Sequence, residues 1–202
     1  SGIAIGLPQN FLQIADKGNI SDSWQGEAGK CVAICGSCAA ASRAQISAHK
    51  AAGQPVLALD SDAVITGEYG ISDALDWAEK TLAEHPVSIP LIYSSADPQA
   101  VRAIQEKYGR ELAAEAFESF FGALASALVN DLVSRLIVAG GETSGAVVEA
   151  LALPSLVIGP EIDPGVPALR GGENLTLALK SGNFGAEDFF VKAAACLAGK
   201  SV

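Results

Sequence analysis

Three glycine-bearing stretches of the 202-residue sequence each follow an apolar run and precede a helix-like one. They are Cys35-Gly36-Ser37-Cys38, Ala139-Gly140-Gly141-Glu142-Thr143-Ser144-Gly145 and Lys180-Ser181-Gly182-Asn183-Phe184-Gly185. In the second, consecutive glycines let the backbone adopt positive φ and approach a ligand with no Cβ in the way. Their N–H groups, with those of Glu142 and Thr143, can form an anion-binding concavity at a helix start, where the Thr143 and Ser144 hydroxyls add donors. An ordinary strand-to-helix turn capped by Thr or Ser has the same composition. The stretch is neither a Walker A loop, which needs Gly-Lys-Ser/Thr, nor a GxGxxG dinucleotide loop.

In the third stretch Gly182 and Gly185 flank a tight turn, with Asn183 expected at positive φ if the turn is purely structural. Glu187 and Asp188 beyond it read as first-turn charges favourable to the helix dipole. The first stretch admits three readings. A Cys-x-x-Cys at a strand-to-helix junction is where a thioredoxin-like redox pair sits, because the helix N-terminus lowers the thiol pKa. A zinc site would need four ligands, and Cys31, Cys35, Cys38, His49 and His85 offer no matching second pair. Free cysteines among alanines also serve as small buried hydrophobes. In that case the informative residue is Ser37, whose hydroxyl beside a glycine at a helix start can hold a phosphate or ribose. Asp60 and Asp62 could bind a metal, although a solvated turn suits them better.

These loops need elements to position them. Short apolar runs alternate with amphipathic stretches. Residues 30–37, 54–62, 87–96, 135–141, 155–161 and 175–182 read as strands, each bounded by Gly, Pro or polar residues. Helices are expected over 39–53, ending at Gly53, and over 71–85, with Ser72 as N-cap and Leu75, Ala78 and Leu82 on one stripe. Asp97 is expected to cap a helix that has Pro98 in its first turn and ends at Gly109. A long helix over 110–134 carries Phe120, Leu124, Leu128 and Leu132 toward a core. Residues 142–152 and 185–199 complete the helical set. The alternation predicts one α/β domain over 1–202, a three-layer αβα stack with a largely parallel sheet, a mixed sheet being left open. In such sheets ligands bind where strand ends feed helix N-termini, which is where all three loops lie.

Composition narrows the function classes. Hydrophobic residues make up 50% and charged residues 18%, as in a folded globular chain. No apolar run reaches the ~20 residues of a membrane span, and the opening residues do not read as a signal peptide. A net charge of -10 argues against nucleic acid, while a single nucleotide can still be held by local N–H groups. Four cysteines, three of them within eight residues, do not form the pattern of a secreted disulfide framework, so a cytoplasmic setting is expected.

Taken together, "VAGGETSGAVVEAL", "IGPEIDPGVPALR", "LALKSGNFGAEDFF", "VAICGSC" and the opening "SGIAIGLPQNF" resemble the C-terminal, nucleotide-binding half of the four-carbon acid sugar kinases. That family includes 3-oxo-tetronate, threonate and erythronate kinases. The resemblance implies ATP-dependent phosphorylation of a sugar-acid hydroxyl, with ATP and Mg²⁺ as cofactors and a homodimer left open. It implies ATP contacts at Ser37, at Ala139, Gly140, Gly141 and Glu142, and at Gly182; loop chemistry adds Thr143. It places the sugar-acid pocket and the general base on an N-terminal half outside this sequence. Two further readings remain at this point: a thiol-disulfide oxidoreductase using Cys35 and Cys38, and a non-catalytic nucleotide-binding module.

Overall fold

The computed structural model describes residues 24–94 and 98–200. The opening stretch and the Asp97 cap therefore lie outside the described residues. Seven strands form one sheet in the order β2-β3-β1-β4-β7-β6-β5. They are β1 (Cys31–Cys35), β2 (Val56–Ala58), β3 (Leu91–Tyr93), β4 (Arg135–Ala139), β5 (Val157–Asp163), β6 (Val166–Arg170) and β7 (Thr176–Lys180). The helices are α1 (Ala40–Ala51), α2 (Ser61–Thr66), α3 (Ile71–Glu84), α4 (Pro98–Tyr108), α5 (Arg110–Asp131), α6 (Gly141–Leu151) and α7 (Phe189–Leu197).

The five strands β2, β3, β1, β4 and β7 run parallel, whereas β6 and β5 are antiparallel to their neighbours. The sheet is thus mixed. β1 reads Cys-Val-Ala-Ile-Cys and is buried at every position, as a central parallel strand covered on both faces must be. One face packs Val32, Ile34, Leu136, Val138 and Leu177 against Ala74 and Ala78 of α3, Phe121 and Leu124 of α5 and Val147 of α6. The other packs Ala33, Cys35, Ile137, Ala139 and Ala178 against Ile46 of α1 and Phe189, Phe190 and Ala193 of α7. This is the expected three-layer stack.

Some details differ from the sequence reading. β6 and α2 were not anticipated: β6 carries Pro167, which argues against an interior strand, and α2 begins inside an acidic turn. Asp60 caps α2 by accepting from the N–H groups of Asp62 and Ala63, and Asp62 pairs with Lys107 at 2.6 Å, the roles of a solvated turn. Helix α3 is capped at Gly70, whose N–H donates to Asp73 at 2.8 Å, rather than at Ser72. Helix α5 ends at Asp131, leaving Leu132 just beyond it but still against the core. Among the described residues α5 is the one helix long and apolar enough to cross a membrane. It buries Phe120, Phe121, Leu124 and Leu128 against the sheet and its neighbours, as a core helix does.

Burial pushes the Cys31 thiol up to about 12, against the attraction of Arg135. An unfolded chain loses this proton from about pH 9, whereas the folded chain keeps it. Stability is therefore full below pH 9 and falls as the pH rises toward 12. Urea unfolding across that window is expected to show the loss, and Cys31→Ala to make its slope shallower.

Candidate functional site

The register sets Cys35, Ala139 and Lys180 side by side at the carboxyl ends of β1, β4 and β7. The helices that follow diverge: α1 and α7 cover one face, α6 the other. The chain therefore leaves β1 and β4 in opposite directions, which opens a crevice between the two loops, the position where open α/β sheets bind ligands.

The wall on the β4 side is the start of α6. Its first intrahelical bond runs from Ser144 N–H to Gly140 C=O at 2.9 Å. The N–H groups of Gly141, Glu142 and Thr143 precede it and have no acceptor among the described residues. Three unclaimed donors at the positive end of a helix attract an anion. Gly140, at φ 129, makes the turn into the helix. Thr143 is buried beneath it, and its hydroxyl fills the space between two glycines: a Cβ at Gly36 would lie 2.2 Å from Thr143 Oγ1 and a Cβ at Gly140 2.8 Å from it. Gly141 differs, because a Cβ there would meet nothing within 4 Å and its φ is unstrained. Positive φ thus belongs to the first glycine of the pair alone. Ala139 is fully buried, and its C=O accepts from Gly36 N–H at 3.1 Å, so it forms the floor. Ser144 Oγ is buried without a partner.

The third loop closes the side of the crevice. A Cβ at Gly182 would lie 2.2 Å from Ser37 Oγ, and Gly182 C=O accepts from the Ser42 hydroxyl of α1 at 2.9 Å. Ser37 Oγ in turn accepts from Ala39 N–H at 3.2 Å. All seven residues picked out from the sequence, Ser37, Ala139, Gly140, Gly141, Glu142, Thr143 and Gly182, thus fall at the carboxyl ends of the three neighbouring strands β1, β4 and β7, Gly141, Glu142 and Thr143 being the first residues of α6. Asn183 does not take positive φ; Gly185 does, at 83°. Glu187 and Asp188 are not first-turn charges: the helix starts at Phe189, and Asp188 stands at its N-cap position without a side-chain cap bond and pairs with Lys192 at 3.1 Å.

A cleft of about 280 Å³ runs from this crevice toward α4 and α5. Gly36, Cys38, Glu142 and Thr143 line its loop side, while Ser37 and Gly182 stand outside it. Val101, Ile104 and Phe117 give it an apolar wall, and Gln105, Arg110 and Glu118 give it a polar rim. None of these six was singled out from the sequence. They lie on two amphipathic helices whose pattern reports a buried face but not what that face lines. The surroundings of Cys35 are the reverse of those the redox reading expects. Cys35 ends the strand, buried, and burial pushes its thiol up rather than down; Cys38 is exposed in the cleft.

A family model described as a nucleotide-binding C-terminal domain matches residues 32–190. The chain belongs to that family. This nucleotide-binding C-terminal domain is 47% identical over 201 residues to a 3-oxo-tetronate kinase of Methylobacterium radiotolerans, covering 96% of this chain and 46% of that protein. It is 43% identical over 197 residues to one of Brucella melitensis, covering 96% and 44%. The chain thus spans less than half the length of the curated relatives it matches. A crystal structure of a Haemophilus influenzae protein of family DUF1537 superposes with a TM-score of 0.78 at 37% identity, over 86% of this chain and 42% of that one. A DUF1537 protein of Bordetella bronchiseptica, solved with bound citrate as a domain-swapped dimer, shares the fold at a TM-score of 0.64 and 22% identity, over 87% and 43%.

Proposed function

We propose that this domain binds ATP for a kinase that phosphorylates a hydroxyl of a four-carbon sugar acid, of the kind its relatives' names describe. The observation that carries the reading is the set of unclaimed N–H groups at Gly141, Glu142 and Thr143, facing the β1–β4 crevice. The triphosphate lies there, with Ser37 and Gly182 on its flank. The base occupies the neighbouring cleft against Val101, Ile104 and Phe117, with Gln105 and Arg110 within reach of its polar edge.

Phosphoryl transfer is mostly positioning and charge stabilisation, so N–H donors fixed by a helix suit it. Mg²⁺ is usually held by one or two carboxylates together with substrate phosphates. Glu142 and Glu118 line the same cleft and would supply them. Phosphate oxygens and water would complete the ion's shell. The sugar acid and the base that accepts its proton are assigned to the part of the relatives beyond the matched half.

ATP should raise the melting temperature of this chain. A ligand at a hundredfold its Kd adds about 2.7 kcal/mol, about 5–10 °C for a chain of this length. Mg²⁺ should change the size of the shift. No shift at millimolar ATP would sink the reading.

A further inference from the structure

The three-loop junction stands on a lysine. Lys180 ends β7 at 2% exposure. Its ammonium donates to Ser42 Oγ and Ser181 C=O, each at 3.2 Å. Both acceptors are neutral, and among the described residues no carboxylate pairs with it. The other ionisable group beside it is the Cys35 thiol, which burial pushes up and so keeps neutral, while the same burial pushes the Lys180 ammonium down. A buried cation without a counter-charge is costly, and folds retain few of them. Its surroundings are specific. The ammonium sits directly under the Ser181–Gly182 turn and against the first turn of α1. Ser42, to which it donates, is the residue that holds Gly182 C=O at 2.9 Å.

We infer that Lys180 is a positioning residue for the ligand's phosphates, its buried ammonium supplying the positive charge that the bound anion neutralises. The inference rests on the nucleotide reading above and assigns a group that reading does not use. A purely structural buried lysine is normally paired with a carboxylate. Here such a partner would compete with the ligand for the same charge.

The test compares ATP with AMP on this chain by calorimetry, for the parent, Lys180→Met and Lys180→Gln. Lys180→Met should keep or raise the melting temperature, because it removes a buried charge that faces only neutral groups, Ser42, Ser181 and the Phe189 ring at 5.6 Å. Lys180→Gln retains a donor for Ser42 and serves if the methionine variant does not fold. In either folded variant the ratio of ATP to AMP affinity should fall about fivefold, since the lost attraction scales with phosphate charge. A general loosening of the loops would weaken both ligands alike, and that equal loss also overturns the inference. An unchanged ratio with parental nucleotide binding overturns the inference alone. A parent that binds neither nucleotide overturns the nucleotide reading, and the inference with it.

Discussion

Gly140→Val should cost about 3 kcal/mol of stability and abolish nucleotide binding. Two effects add. Gly140 has φ 129, where a β-branched residue is strained by about 1–3 kcal/mol. Its Cβ would also lie 2.8 Å from Thr143 Oγ1, 3.3 Å from Thr143 Cβ and 3.4 Å from Ser37 N. Thr143 is buried and Ser37 N is backbone, so neither can yield cheaply, and crowding of this kind costs about 1–3 kcal/mol. For a chain of this length the melting temperature should drop about 6–12 °C. Binding is lost because the contacts that must shift form the crevice itself: the α6 N-terminus on one side and the Ser37 loop on the other. Thermal unfolding followed by circular dichroism, with ATP titration of the folded protein well below its melting point, checks both parts. A variant that melts and binds as the parent does would show that the turn at Gly140 does not shape the site.

Gly141→Val should separate the two effects. The neighbouring glycine has ordinary φ, is exposed, and points a new Cβ into open space. Valine in place of glycine at the first helical position gains a few tenths of a kcal/mol in propensity, largely through the smaller entropy of its unfolded chain. The melting temperature should therefore stay within about 2 °C of the parent. The open space is where the proposed phosphate lies, against the N–H groups of residues 141–143. An isopropyl group there should weaken ATP at least tenfold, about 1.4 kcal/mol. Glu142→Ala should be milder for binding, since that side chain is exposed at the cleft rim. ATP titration by calorimetry decides the matter: parental affinity in Gly141→Val would make the loop a turn and no more.

The sequence placed the three loops correctly because each combines glycines with the end of an apolar run, and both signals are local. The same local reading located β1, β4 and β7 and the helices that follow them. It assigned the need for positive φ to the glycine pair as a whole, and only the backbone shows that Gly140 bears it alone. Of the antiparallel β5–β6 edge, β5 was placed and β6 was missed, although Pro164-Gly165 is a turn signal and Gly165 has φ 79. Pro167 inside β6 weakened its strand pattern. Lys180 was passed over as the first letter of a glycine loop. Its meaning depends on Ser42, 138 positions away, and no local pattern reports a contact at that range.

The crevice also bears on how the chain folds. Its two walls meet only when β1 pairs with β4, which joins residue 31 to 135 and residue 35 to 139. The β5–β6 hairpin, by contrast, closes over a turn of two residues. Closing the large loop gives up far more chain entropy before any contact repays it. The hairpin can therefore form early, while the crevice exists only once the distant segments have come together. A ligand seated there recognises the finished fold and no earlier species. Its presence would slow unfolding of the whole chain rather than protect one loop, making occupancy of the crevice a reporter of complete assembly.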